Sequence, residues 1–125
     1  MGQLYYSHAR LERKKKARDA ARVDRFGNPT VEENTRLLLR VDPDWGPIVR
    51  ECLLLARQSK PHGKFAGAWV MNGLRAQGIK LPNNLRTLAK YGIIINVGTA
   101  RGGKRAYYTL ADPKGTGKAL KDLGF

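Results

Sequence analysis

The side chains of this chain best suited to chemistry are recognition groups, and several of them fall in one short stretch. The amides of Asn83 and Asn84 can pair bidentately with an adenine edge, and the Arg86 guanidinium can do so with guanine. Thr87 can offer a hydroxyl or a methyl to a base, while Lys90 suits a phosphate. A second group follows in Arg101, Lys104 and Arg105, which can neutralise phosphates or place an arginine in a narrow minor groove. Gly98, Gly102 and Gly103 around them would let a backbone approach closely. A third group, Arg10, Arg13, Lys14, Lys15, Lys16 and Arg18, is a run of cations without base-reading partners. Reaction chemistry lacks comparable material: His8 and His62 are far apart, and the carboxylates stand singly with no paired acid and base. The chain is therefore not expected to be an enzyme.

These groups need elements to carry them. Leu85 and Leu88, with Leu81 at the entry, recur at helical spacing, so a helix from Pro82 to Tyr91 would bury them and present the polar residues outward. Pro82 has the fixed φ suited to a first helical position. Leu81 stands where a cap is usual, so either the helix starts later with Asn83 as its cap or its first turn is loose. Gly92 can stop the helix. Ile93, Ile94, Ile95 and Val97 then read as a strand, joined by the loop from Gly98 to Arg105 to a second strand over Ala106 to Leu110.

Upstream, Asp42-Pro43-Asp44 punctuates the chain, and Asp44 can cap a helix in which Trp45, Ile48, Val49, Cys52, Leu55 and Ala56 share a face. Another helix is expected from Phe65 to Ala76, with Trp69 in its apolar face and Gly67 and Gly73 allowing a close approach to a second helix. Both tryptophans are expected in the core. Thr30 and Glu33 form a capping-box pattern ahead of residues 31–40, although Thr35 to Val41 also reads as a strand. The domain plan is then a basic arm over 1–27, helical or ordered on binding; a connecting segment over 28–43; a folded unit over 44–112; and a tail or short helix over 113–125.

Helix, helix, turn, helix, strand, basic loop and strand resembles the winged helix-turn-helix superfamily, over about residues 44 to 112. The motifs that carry the likeness are the leucine pair before Tyr-Gly-Ile in LRTLAKYGII and the return strand RAYYTLAD after a glycine-and-arginine loop. The resemblance implies an α+β fold with a three-helix core and a β-hairpin wing. It also implies that the helix 82–91 is the recognition helix, entering the major groove, and that 98–105 is the wing.

Charge points the same way. The 125-residue chain carries a formal +14, from 24 basic and 10 acidic residues. Residues 1–26 hold 8 basic and 3 acidic residues, residues 27–59 hold 4 and 5, and residues 60–125 hold 12 and 2. Two cationic regions thus flank a nearly neutral middle, as expected if the middle supplies scaffold while the flanks meet phosphates.

Double-stranded DNA is the favoured partner, for a small transcriptional or mobile-element regulator. The alternatives are an RNA-binding ribosomal or ribonucleoprotein component and a winged-helix protein-interaction module in a larger assembly. No cofactor or metal site is expected. Gly98 to Lys104 has the spacing of a phosphate-binding P-loop, but Arg105 stands where Ser or Thr is required and a strand follows where a helix should. Gly115 to Lys118 fails equally, with Asp112 in the place of the first glycine and Ala119 in that of the hydroxyl. Cys52 is the single cysteine and sits among apolar residues, so it reads as a small buried side chain. With no apolar run near the roughly 20 residues that span a bilayer, a soluble intracellular protein without membrane contact is expected. Oligomeric state is left open.

Overall fold

The computed structural model describes residues 2–21, 29–60, 62–99 and 106–125. Its class is α+β, with six helices and a small three-stranded antiparallel sheet among those residues. In order, the elements are α1 (Gly2–Ala20), α2 (Val31–Val41), α3 (Trp45–Gln58), β1 (Phe65–Ala66), α4 (Gly67–Ala76), α5 (Arg86–Lys90), β2 (Ile94–Thr99), β3 (Ala106–Leu110) and α6 (Pro113–Asp122).

Residues 31–41 are helical, which resolves the ambiguity there. The Glu33 N–H donates to the Thr30 hydroxyl oxygen at 3.2 Å, which is the Thr30 half of a capping box, and the Thr35 hydroxyl donates to the Val31 carbonyl at 2.7 Å. Leu38 and Leu39 are buried, so α2 is a wall of the core and not a connector. In α3, Ile48, Val49, Cys52 and Ala56 of the expected face are buried, Trp45 and Leu55 are only part-buried, and Leu53 joins the stripe. Asp44 stands at the N-cap position in helical geometry and its side chain makes no capping bond, so that expectation fails locally.

The helix expected from Phe65 begins two residues later. Phe65 and Ala66 form β1, pairing antiparallel with β3 in the register Phe65 to Tyr108 and Ala66 to Tyr107. β3 also pairs antiparallel with β2, with Ile94 opposite Leu110 and a register shift between Asn96 and Gly98. The sheet order is β1-β3-β2, so the return strand of the hairpin is central and the first strand of the chain closes one edge. Phe65, Val70, Leu74, Leu88, Ile93 and Ile94 are fully enclosed between this sheet and the helices.

Gly73 does meet another helix, since a Cβ there would overlap the Glu51 carboxyl of α3. Gly67 lies instead against the Tyr108 ring of β3, 3.3 Å from where its Cβ would be. Glu51 is itself buried and accepts a 2.9 Å hydrogen bond from Gln77 Nε2, which ties the end of α4 to α3.

The C-terminal segment is a full helix of the core. The Asp112 side chain accepts from the Gly115 N–H at 3.0 Å, Pro113 starts the first turn, and Ala119 and Leu120 are buried against α2 and α3.

Candidate nucleic-acid interface

α5 is only five residues long, against the ten expected. Asn84 explains the late start: its side-chain Oδ1 accepts the Arg86 N–H at 3.0 Å, which holds the segment before Leu85 in a turn. The helix is anchored from below by Leu85, Leu88 and Tyr91, all buried. Its end is a Schellman closure. The Gly92 N–H donates to the Ala89 carbonyl and the Ile93 N–H to the Leu88 carbonyl, each at 3.0 Å. Gly92 has φ of +72°, a left-handed conformation that glycine adopts without Cβ strain, and Leu88 and Ile93 complete the motif's apolar contact.

The described part of α1 lies across from this helix. Ala17 and Ala21 are buried, and these small side chains let α1 approach α2 closely, while Leu11 is 65% exposed. Between the two helices runs a groove of about 450 Å³. Lys14, Lys15 and Arg18 of α1 form one wall. Asn83, Asn84, Thr87 and Lys90 form the other. Leu38, Val41 and Tyr91 lie beneath, with Trp45 and Pro82 also in the lining. Lys14 pairs with Asp42 at 3.1 Å, whereas Lys15, Arg18 and Lys90 form no ion pair among the described residues. Burial raises the Tyr91 hydroxyl above its ordinary pKa, an effect opposed by Arg18 and reinforced by Asp42.

The recognition residues expected from the sequence are thereby divided. Asn83, Asn84, Thr87 and Lys90 share a cleft with three cations of the arm, while Arg86 is exposed and does not line it. Arg13 and Lys16 are likewise exposed on α1 outside the groove, and Arg10 belongs to the same helix. Arg101, Gly102, Gly103, Lys104 and Arg105 lie outside the described residues.

Trp69 departs from its expected place in the core. It is 38% exposed and meets Tyr107 edge-on, ring centroids 6.0 Å apart, with Lys64 Nζ 5.1 Å from the Tyr107 ring centre. This cluster and the part-exposed, groove-lining Trp45 were not found as surface groups by sequence, because apolar spacing alone does not say which aromatic reaches the rim. Cys52 is fully enclosed, and burial pushes its thiol up to about 12. Among the described residues no cluster of His, Cys, Asp and Glu could hold a metal ion, and no helix is long and apolar enough to cross a membrane. Compared with known proteins, the chain matches no family model, no curated protein and no solved structure.

Proposed function

We propose that this chain is a winged-helix DNA-binding protein serving as a small transcriptional or mobile-element regulator, and that it performs no catalysis. The observation that carries the reading is the convergence of Lys15, Arg18 and Lys90 with Asn83, Asn84 and Thr87 on one cleft. Cations bring phosphates to that place, and amides and a hydroxyl are the groups that read base edges. The topology supports it as well. From α3 onward the order is helix, strand, helix, helix and a two-stranded hairpin, with the short first strand paired to the hairpin's return strand. That order is compatible with a winged helix, and in this reading α5 serves as the recognition helix and the β2–β3 hairpin as the wing.

In this reading Arg101, Lys104 and Arg105 add backbone or minor-groove contacts, and the arm cations add affinity without sequence preference. The test is fluorescence anisotropy on a short duplex, run beside a structured RNA of equal length. If roughly four phosphates are contacted, duplex affinity falls about a hundredfold between roughly 50 and 200 mM salt. Affinity indifferent to salt removes the phosphate-contact mechanism. Tighter binding of the RNA replaces DNA with a ribonucleoprotein role.

A further inference from the structure

Beside its polar rim, the α1–α5 groove carries groups that a duplex does not use. A duplex read through its base edges meets the exposed Asn83, Asn84 and Lys90 at the rim of this cleft of about 450 Å³. Inside the cleft, however, the surface is half apolar. Leu38 and Val41 line it, and Trp45 is part-exposed in its wall. Paired bases present only their edges, because their faces are stacked on their neighbours, and an aromatic wall has nothing to meet. An unpaired nucleotide offers both parts: a phosphate for cations and a bare base face for an aromatic ring. The acid in the groove, Asp42, is paired with Lys14. Lys15, Arg18 and Lys90 are left to an incoming anion.

Resting on the nucleic-acid reading above, we propose that the α1–α5 groove binds one unpaired nucleotide of the bound nucleic acid. Lys15, Arg18 and Lys90 hold its phosphate, Trp45 takes its base face, and Thr87 with the Asn83 and Asn84 amides meets its edge. The arm and α5 then act as a single site, so the preferred substrate is a duplex with a single-stranded extension or a junction, in place of an uninterrupted duplex.

The test compares the full chain's affinity for a blunt duplex with that for the same duplex carrying a short single-stranded extension, 3′ or 5′, by fluorescence anisotropy at one salt concentration. The wild-type chain is expected to bind one of the extended duplexes about tenfold more tightly than the blunt one. Lys15→Gln with Arg18→Gln weakens binding to both, but the ratio between them should fall towards one. Trp45→Leu should lower the ratio as well. A separate readout uses Trp69→Phe, which leaves Trp45 as the only tryptophan, and its emission should be quenched by the extended duplex alone. Equal wild-type affinities for blunt and extended duplexes overturn the groove assignment while leaving duplex binding intact. A ratio that survives in both variants, their fold verified by circular dichroism, places the preference elsewhere and overturns it too. No binding to any oligonucleotide removes the nucleic-acid reading and this inference with it.

Discussion

Asn34 Nδ2 donates a 3.1 Å hydrogen bond to the Tyr91 carbonyl at the end of α5, and a second one of 2.9 Å to the Ala21 carbonyl just past the end of α1. One buried amide of α2 thus fixes the two helices whose facing sides make the groove. The bonds satisfy two main-chain carbonyls that the helix ends would otherwise leave bare. They also couple the placement of the arm to the placement of the polar residues opposite it.

Asn34→Leu should therefore do more than lower stability. Two buried carbonyls lose their donor, at a cost of about 1 to 3 kcal/mol in urea unfolding. The Asn34 Oδ1 atom has no partner among the described residues, so its removal offsets part of that loss. The sharper readout is hydrogen exchange. Amides of residues 14–21 should exchange faster in the variant by more than the global loss accounts for, while those of α3 follow the global change. Uniform acceleration across both helices would show that Asn34 acts on the fold as a whole and not on the arm.

Cys52 should be inert in the native protein. It is fully enclosed, and with its thiol raised to about 12 by burial it stays protonated at pH 8. A thiol reagent should label it only in denaturant. The same shift makes stability fall as pH rises above the ordinary thiol value of 9.0, since the unfolded chain releases this proton first. Cys52→Ala should remove that alkaline loss, at the expense of a small cavity near Val49. Rapid native labelling at pH 8 would contradict the burial.

A surface network gives the acid limb. Arg36 of α2 bonds to Asp122 of α6 and pairs with Glu32 at 3.0 Å. The hydrogen bond from Arg36 holds the Asp122 carboxyl below its ordinary value of 3.8. A carboxylate lowered on folding adds stability that is fully present above the unfolded value, and the addition fades as pH falls from about 4 through the folded value. Arg36→Met should flatten that acid dependence with little change in fold. Because Asp122 is exposed and Arg36 only part-buried, the loss should be small and should shrink further in high salt. An unchanged acid limb would assign it to other carboxylates.

Much of this architecture was legible before any coordinates. The hairpin strand 106–110, α3 and the Thr30 cap were read from spacing that the structure uses in the same way. Three helices also close on one local pattern: a leucine, three residues, a glycine, and Ile or Phe. Leu74 accepts from the Ile79 N–H, Leu88 from the Ile93 N–H, and Leu120 from the Phe125 N–H. What spacing could not reveal was partnership. Phe65 and Ala66 continue the apolar stripe of α4, and only β3, far along the chain, recruits them as a strand. α5 lost its first turn because the Asn84 side chain competes for a main-chain N–H. The groove itself required Ala17 and Ala21, two residues with almost no apolar signal, to seat a helix that is otherwise cationic.

The division of the recognition residues can be tested energetically with Arg18, Thr87 and Arg86. Arg18 and Thr87 line the same cleft, whereas Arg86 is exposed outside it. Combining Arg18→Ala with Thr87→Val should show a coupling of about 0.5 kcal/mol or more in binding an extended duplex, as residues sharing one ligand do. Arg18→Ala with Arg86→Ala should be additive within about 0.3 to 0.5 kcal/mol. If Arg86 reads guanine, its loss costs about 1 to 3 kcal/mol on the preferred site and relaxes the sequence recovered from a random duplex pool. An equal loss on every sequence would make Arg86 a phosphate contact. Coupling of Arg18 to Arg86 in place of Thr87 would mean that the arm leaves the position described here when nucleic acid binds.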